Sequence, residues 1–274
     1  MDPLRIGIVQ FLNTVPLVEG LDKVAELKMI PAPPSQLSDM LESDAADVAL
    51  VSVIDAATSR KPLALLSCGM IGCDGPTLTV RVFSSQPFDQ ITVLHADTDS
   101  HTSIALARVI LARMYGRKVE VVPFDAAHAE AGNWPLALLL IGDKVITRHP
   151  PASHYPYQLD LGEAWKKLTG LPFVYALWMC RESDLESPHR GDRIRLASAL
   201  IDRQRRHNTT RLARIIQDKA PEFGWPAEAA HRYLGDLLRY EVGETERSSV
   251  RRFLSECAEL GLVQADRAAP VWAE

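Results

Sequence analysis

The sequence predicts an α/β protein built as two α/β lobes with a ligand cleft between them. Short, nearly continuous apolar runs alternate with segments of helical spacing, as strands covered on both faces require. This strand–helix alternation occurs in two separate series, and a mostly helical stretch follows them. Open α/β sheets bind ligands beyond the carboxyl ends of their strands, so polar segments that interrupt the apolar runs are where a site is sought.

The first series opens with Arg5–Gln10, a short apolar run that reads as a buried strand. It breaks at Phe11-Leu12-Asn13-Thr14, and Val15-Pro16-Leu17 opens a helix, since proline is tolerated in a first turn. Leu27–Ile30 is a second strand, ended by Pro31-Ala32-Pro33-Pro34. Ser35 is then placed to cap a helix carrying Leu37, Met40 and Leu41 on one face. Asp47–Ile54 is a third strand, so this series argues for a parallel sheet.

The second series holds strands at Leu78–Ser84, Ile91–Ala96, Val119–Val122 and Leu136–Ile141. A helix follows Asp97–Ser103, with Ile104, Leu106, Val109, Ile110 and Met114 at helical spacing and Gly116 at its end. Pro150–Pro156 is a loop, and Leu171–Cys180 is a long apolar strand. From about Ser183 the chain is largely helical and carries Arg203, Arg205, Arg206, Arg211 and Arg214. Acidic residues flank these arginines and no aromatic residue interleaves them, which describes a solvated helix face rather than a nucleic-acid site.

Composition narrows the function. With 274 residues, 47% hydrophobic and 24% charged, the chain can bury a large core without staples. A net charge of -5 provides no pull toward nucleic acid or anionic membranes, so neither is expected as a partner. Apolar runs such as Leu136–Ile141 and the Leu171–Cys180 strand are far short of the roughly 20 residues of a membrane helix. Met-Asp-Pro-Leu-Arg leads straight into Ile6 without a basic n-region or cleavage site, so a cytoplasmic location is expected. Cys68, Cys73, Cys180 and Cys257 form no Cys-x-x-Cys pair and read as reduced, mostly buried thiols. His149 and His154 lack metal-ligand spacing, so no metal is expected. Gly-x-Gly-x-x-Gly and Gly-x-Ser-x-Gly are both absent.

Four segments could carry chemistry. Asn13-Thr14, between the first strand and helix, offers an amide and a hydroxyl at a corner suited to an anion or a hydroxyl group, or serves only as a cap. Ser100-His101-Thr102-Ser103 brings three hydroxyls and an imidazole to a helix start, a combination suited to a carboxylate or phosphate. Thr77 and Thr79 would share one face of a strand. Asp143 follows the Leu136–Ile141 strand and would either cap a helix or stand on the second cleft wall.

These segments align with a family. Phe11-Leu12-Asn13-Thr14-Val15-Pro16-Leu17 resembles the opening of the chorismate dehydratases of the futalosine route to menaquinone. Gly75-Pro76-Thr77-Leu78-Thr79-Val80, Ser100-His101-Thr102-Ser103 and Leu140-Ile141-Gly142-Asp143 resemble further motifs. The most specific is Leu159-Asp160-Leu161-Gly162-Glu163-Ala164-Trp165, continued through Leu168-Thr169-Gly170-Leu171-Pro172-Phe173-Val174. Tyr240-Glu241-Val242-Gly243 is similar to the family's end, so the likeness runs in order along nearly the whole chain.

The resemblance implies a type II periplasmic-binding-protein-like fold, with residues 1–82 and 179–274 in one lobe and 83–178 in the other. It implies a lyase that dehydrates chorismate to 3-[(1-carboxyvinyl)oxy]benzoate without metal or organic cofactor, at the first committed step of that route. Asn13 and Thr79 would be the catalytic pair; Thr14, Ser100, His101, Thr102, Ser103 and Asp143 would bind substrate. Two positions depart from the pattern: His101 stands where the family usually has Arg, and Thr79 where it usually has Ser. A neutral His101 would bind a carboxylate less well unless its pKa is raised.

Two alternatives stay open. The related lyase of the same pathway, acting on a cyclic futalosine derivative, shares the Leu-Asp-Leu-Gly segment, although Asn-Thr-x-Pro-Leu favours the dehydratase. A cytoplasmic binding protein for a small carboxylate would use the same fold without catalysis. A regulator's effector domain is disfavoured because no helix-turn-helix precedes the first strand. The oligomeric state, monomer or homodimer, is left open.

Overall fold

The computed structural model describes residues 2–125, 134–148 and 150–273, so His149 lies outside the described residues. Two sheets organise the chain. The larger takes β1 (Leu4–Ile8), β2 (Leu27–Pro31), β3 (Val48–Ser52), β4 (Leu63–Cys73), β10 (Phe173–Arg181), β11 (Leu238–Arg239) and β12 (Val271–Ala273). The smaller takes β5 (Val80–Ser84), β6 (Val93–Asp97), β7 (Glu120–Phe124), β8 (Ala137–Ile141) and β9 (Tyr157–Asp160).

The parallel pairing expected of the first series is present, since β1 lies parallel to β2 on one side and to β3 on the other. β10 then runs antiparallel between β3 and β4. In the smaller sheet β6 is parallel to β7 and β8, whereas β5 is antiparallel to β8 and β9. The chain therefore passes from one sheet to the other between β4 and β5, and returns between β9 and β10. The divisions expected at 82/83 and 178/179 fall inside β5 and β10, each of which pairs within a single sheet.

The helices are α1 (Val15–Val18), α2 (Leu37–Glu42), α3 (Asp55–Thr58), α4 (His101–Tyr115), α5 (Lys144–Thr147), α6 (Leu161–Thr169), α7 (Glu182–Glu186), α8 (Pro188–Thr210), α9 (Leu212–Lys219), α10 (Ala227–His231) and α11 (Glu244–Glu259). A π-helical turn, Arg232–Leu237, follows α10 directly. Ser35 does not cap α2: it sits inside a 3-10 turn, Pro34–Gln36, because two prolines have already set the backbone there. The arginine run is only partly a solvated face. Arg205 is buried and pairs with Asp202 at 2.7 Å, whereas Arg206 and Arg214 make exposed helix pairs with Asp202 and Asp218. All four cysteines are free and buried.

One apolar core runs from β3, β4 and β10 through α4, α6 and α11 to β6 and β8, so the two sheets share buried packing. Trp165 of α6 lies at its centre, fully buried against Phe173 and Phe253. Its indole N–H reaches the Pro172 carbonyl and the Ser249 hydroxyl, each at 3.1 Å.

Candidate active site

A cavity of about 600 Å³, counting its open mouth, lies between the sheets. Its polar lining is Asn13, Thr14, Ser52, Thr77, Thr79, Ser100, Ser103, Tyr175 and Tyr233, and its apolar lining includes Val9, Phe11 and Ile141. Among these described lining residues there is no Asp, Glu, Lys, Arg or His.

Asn13 and Thr14 belong to a 3-10 turn, Leu12–Thr14, that links β1 to α1. Thr14 does not act as a side-chain cap; its hydroxyl donates to the Asn13 amide oxygen at 3.3 Å. Phe11 lies over Gly142 of the opposite wall, where φ is +63° and a Cβ would stand 3.7 Å from the ring.

Thr77 and Thr79 both face the cavity, but not as alternate residues of a strand. β5 begins only at Val80, and Leu78 between them is left-handed, with φ of 73°. The Asp160 carboxylate holds this turn. One oxygen accepts from the Leu78 N–H at 2.7 Å; the other accepts from the N–H groups of Thr77 at 2.9 Å, Gly162 at 3.0 Å and Glu163 at 3.2 Å. Asp160 thus caps α6 and shapes the cavity wall at once. Gly162 is required by the same packing, because a Cβ there would lie 2.6 Å from the Gly75 carbonyl oxygen and would strike the Thr77 hydroxyl and the Cys73 thiol. The Leu-Asp-Leu-Gly motif is therefore a buttress for the Thr77–Thr79 turn, set behind the cavity.

Thr77 bonds the Tyr175 hydroxyl at 2.6 Å, and Thr79 bonds the Tyr233 hydroxyl at 2.6 Å. Burial pushes the Tyr233 pKa up and keeps the phenol protonated. Neither tyrosine was singled out in the sequence. Tyr233 stands on the π-helical turn, and such turns frequently mark functional sites.

The Ser100–Ser103 segment divides. Ser100 caps α4 by accepting from the Ser103 N–H at 3.3 Å; the two hydroxyls are 3.0 Å apart, and both line the cavity. His101 and Thr102 are not among the lining residues. The His101 Nδ1 lies 2.9 Å from Asp55 Oδ1, and the Thr102 hydroxyl accepts from the Ile54 N–H at 3.3 Å. The hydrogen bond to Asp55 raises the His101 pKa above its ordinary value, outweighing burial. These two residues pin the start of α4 to the larger sheet's α3. The four side chains expected to converge on a ligand therefore split, Ser100 and Ser103 toward the cavity and His101 and Thr102 toward α3.

Asp143 also turns away from the cavity. It makes no cap bond; instead its Oδ1 accepts from the Trp225 indole at 2.7 Å. Burial pushes its pKa up, against the hydrogen bond from Trp225. Trp225 stacks on Tyr233, with ring centroids 4.9 Å apart and planes 8° from parallel. Lys144 pairs with Asp97 and with Asp99, so its charge is spent within its own wall. Among the described residues no group of three or more His, Cys, Asp or Glu is placed to hold a metal ion, and no helix is long and apolar enough to cross a membrane.

The chain is 25% identical to a chorismate dehydratase of Thermus thermophilus, covering 92% of this chain and 94% of that protein. It is 24% identical to a chorismate dehydratase of Campylobacter jejuni, covering 93% and 98%. Among solved structures it resembles the periplasmic aliphatic sulphonate binding protein SsuA of Escherichia coli with a TM-score of 0.65 at 17% identity, covering 99% of this chain and 98% of that one. That likeness shows a periplasmic-binding-protein-like fold. The family model described as menaquinone biosynthesis matches residues 4–259. The chain belongs to this menaquinone-biosynthesis family.

Proposed function

We propose that this protein is a chorismate dehydratase, a hydro-lyase that forms 3-[(1-carboxyvinyl)oxy]benzoate at the first committed step of the futalosine route, in the cytoplasm and without a cofactor. The observation that carries this reading is the lining of the cavity: hydroxyls and one amide, with no carboxylate, imidazole or cation among them. Such a wall can orient a substrate and hydrogen-bond developing charge, but Asn13 cannot remove a proton near neutral pH.

Chorismate supplies what the wall lacks. Its side-chain carboxylate takes the C3 proton, and the electron pair passes through the ring alkene toward the C1 carboxylate. The C4 hydroxyl then departs and leaves with a proton as water, so the ring becomes aromatic. Thr79 hydrogen-bonds near the reacting centre, Asn13 and Thr14 orient the substrate, and Ser100 and Ser103 hold a carboxylate at the start of α4. His101, Thr102 and Asp143 contribute by fixing the walls through Asp55, Ile54 and Trp225.

The test is turnover by the purified protein. Chorismate is expected to give the dehydrated aromatic product above the spontaneous background, identified by chromatography and mass. Saturable binding without product would instead make this chain a solute binder and refute the proposal.

A further inference from the structure

Tyr233 is 154 positions from Thr79 in the chain and meets it at 2.6 Å. It is 1% exposed, yet it lines the cavity. Its ring stacks on Trp225, which Asp143 holds by the indole N–H. A phenylalanine would satisfy that stacking, so packing explains the ring and leaves the hydroxyl unexplained.

The proton directions around that hydroxyl follow from its neighbours. Among the described hydrogen bonds the partner of the Tyr233 hydroxyl is Thr79 Oγ1, at 2.6 Å. A phenol is a stronger acid than an aliphatic alcohol and so the better donor, and the Tyr233 proton goes to Thr79 Oγ1. Thr79 then has its acceptor side filled from behind, and its own proton is left to point into the cavity. Hydrogen bonds aligned in this way strengthen one another.

Resting on the dehydratase reading, we propose that Tyr233 is a positioning residue that fixes the Thr79 hydroxyl as a donor toward an oxygen of bound chorismate. It acts through Thr79 and not on substrate directly. Asp143 and Trp225 belong to the same device, because they set the plane of the Tyr233 ring.

The test is a mutant cycle in the whole protein, with Tyr233→Phe, Thr79→Ala and the double variant. Tyr233→Phe keeps the stacked ring, and its thermal midpoint by circular dichroism verifies that the fold is retained. Its kcat on chorismate is expected to fall on the order of 10- to 100-fold, with KM within about threefold, because orientation is lost while ground-state contacts remain. The double variant is expected to be no slower than Thr79→Ala alone. Losses that multiply in the double variant, an unchanged kcat in Tyr233→Phe, or a change confined to KM would each overturn the proposal. A wild-type protein that makes no product overturns the dehydratase reading itself and this inference with it; a productive wild type with an indifferent Tyr233→Phe overturns only the inference.

Discussion

Asp160→Asn is a change of one atom behind the cavity, and its effect can be worked out from the bonds it breaks. The amide oxygen can keep the place of Oδ1 over the N–H groups of Thr77, Gly162 and Glu163. The new NH₂ then faces the Leu78 N–H, which now donates to Oδ2 at 2.7 Å, and the Arg81 guanidinium, which stands 3.6 Å from the same oxygen. Losing one charge-assisted bond in a buried place costs about 2 kcal/mol. The left-handed Leu78 backbone, at φ of 73°, costs roughly 1–2 kcal/mol, so this bond alone is of the size needed to hold it. At about 2.1 cal/mol/K per residue, 274 residues give an unfolding entropy near 0.6 kcal/mol/K, and the melting temperature is expected to fall by about 3–4 °C. Once the turn relaxes, Thr79 moves, and turnover of chorismate is expected to drop on the order of tenfold or more. Thermal unfolding by circular dichroism and product formation by chromatography check the two effects separately. A variant that melts within about 1 °C of the wild type and turns over equally would refute the assignment of Asp160 to the turn.

Gly162→Ala puts a methyl group against the Gly75 carbonyl and is expected to destabilise by about 2–3 kcal/mol in chemical denaturation; a neutral result would contradict the close approach. His101→Ala is expected to weaken chorismate binding by loosening α4 from Asp55, and unchanged affinity in titration calorimetry would free the site from His101. The same pair makes stability depend on pH. A histidine whose folded pKa is raised contributes fully below its ordinary value of 6.5, and the contribution is lost as pH rises through the raised folded value. The His101 side chain is 42% exposed, so the contribution is screened to about 0.2–1 kcal/mol. The melting difference between wild type and His101→Ala is therefore expected to be larger at about pH 6 than at about pH 9, and a difference that grows with pH would contradict the pairing.

Much of the fold is legible in the sequence because β3, β8 and β10 are covered on both faces and so read as nearly unbroken apolar runs. β4 is as apolar, but Gly69 and Gly72 punctuate Leu63–Cys73 and it shows no alternation, so nothing marks it as a strand. β9 is mostly exposed and short, without an apolar run to announce it. At the site, the polar segments Asn13-Thr14, Thr77–Thr79 and Ser100–Ser103 stand out because they interrupt runs of strand and helix. Their partners do not. Which of four adjacent residues faces the cavity depends on Asp55 and Ile54 across the cleft, and that is how His101 and Thr102 come to point away. Tyr233 and Trp225 carry no local pattern, since a π-helical turn has no sequence signature and their partners lie far along the chain. Asp143 is the instructive case: its place beyond β8 is legible, but Trp225 claims its carboxylate.

The most direct test of the account is chorismate turnover by the wild type and Asn13→Ala side by side, with both proteins shown to be folded. The wild type is expected to convert chorismate to 3-[(1-carboxyvinyl)oxy]benzoate, and Asn13→Ala to leave it at the spontaneous background. Equal product from both would remove Asn13 from the chemistry, and no product from either would contradict the dehydratase function.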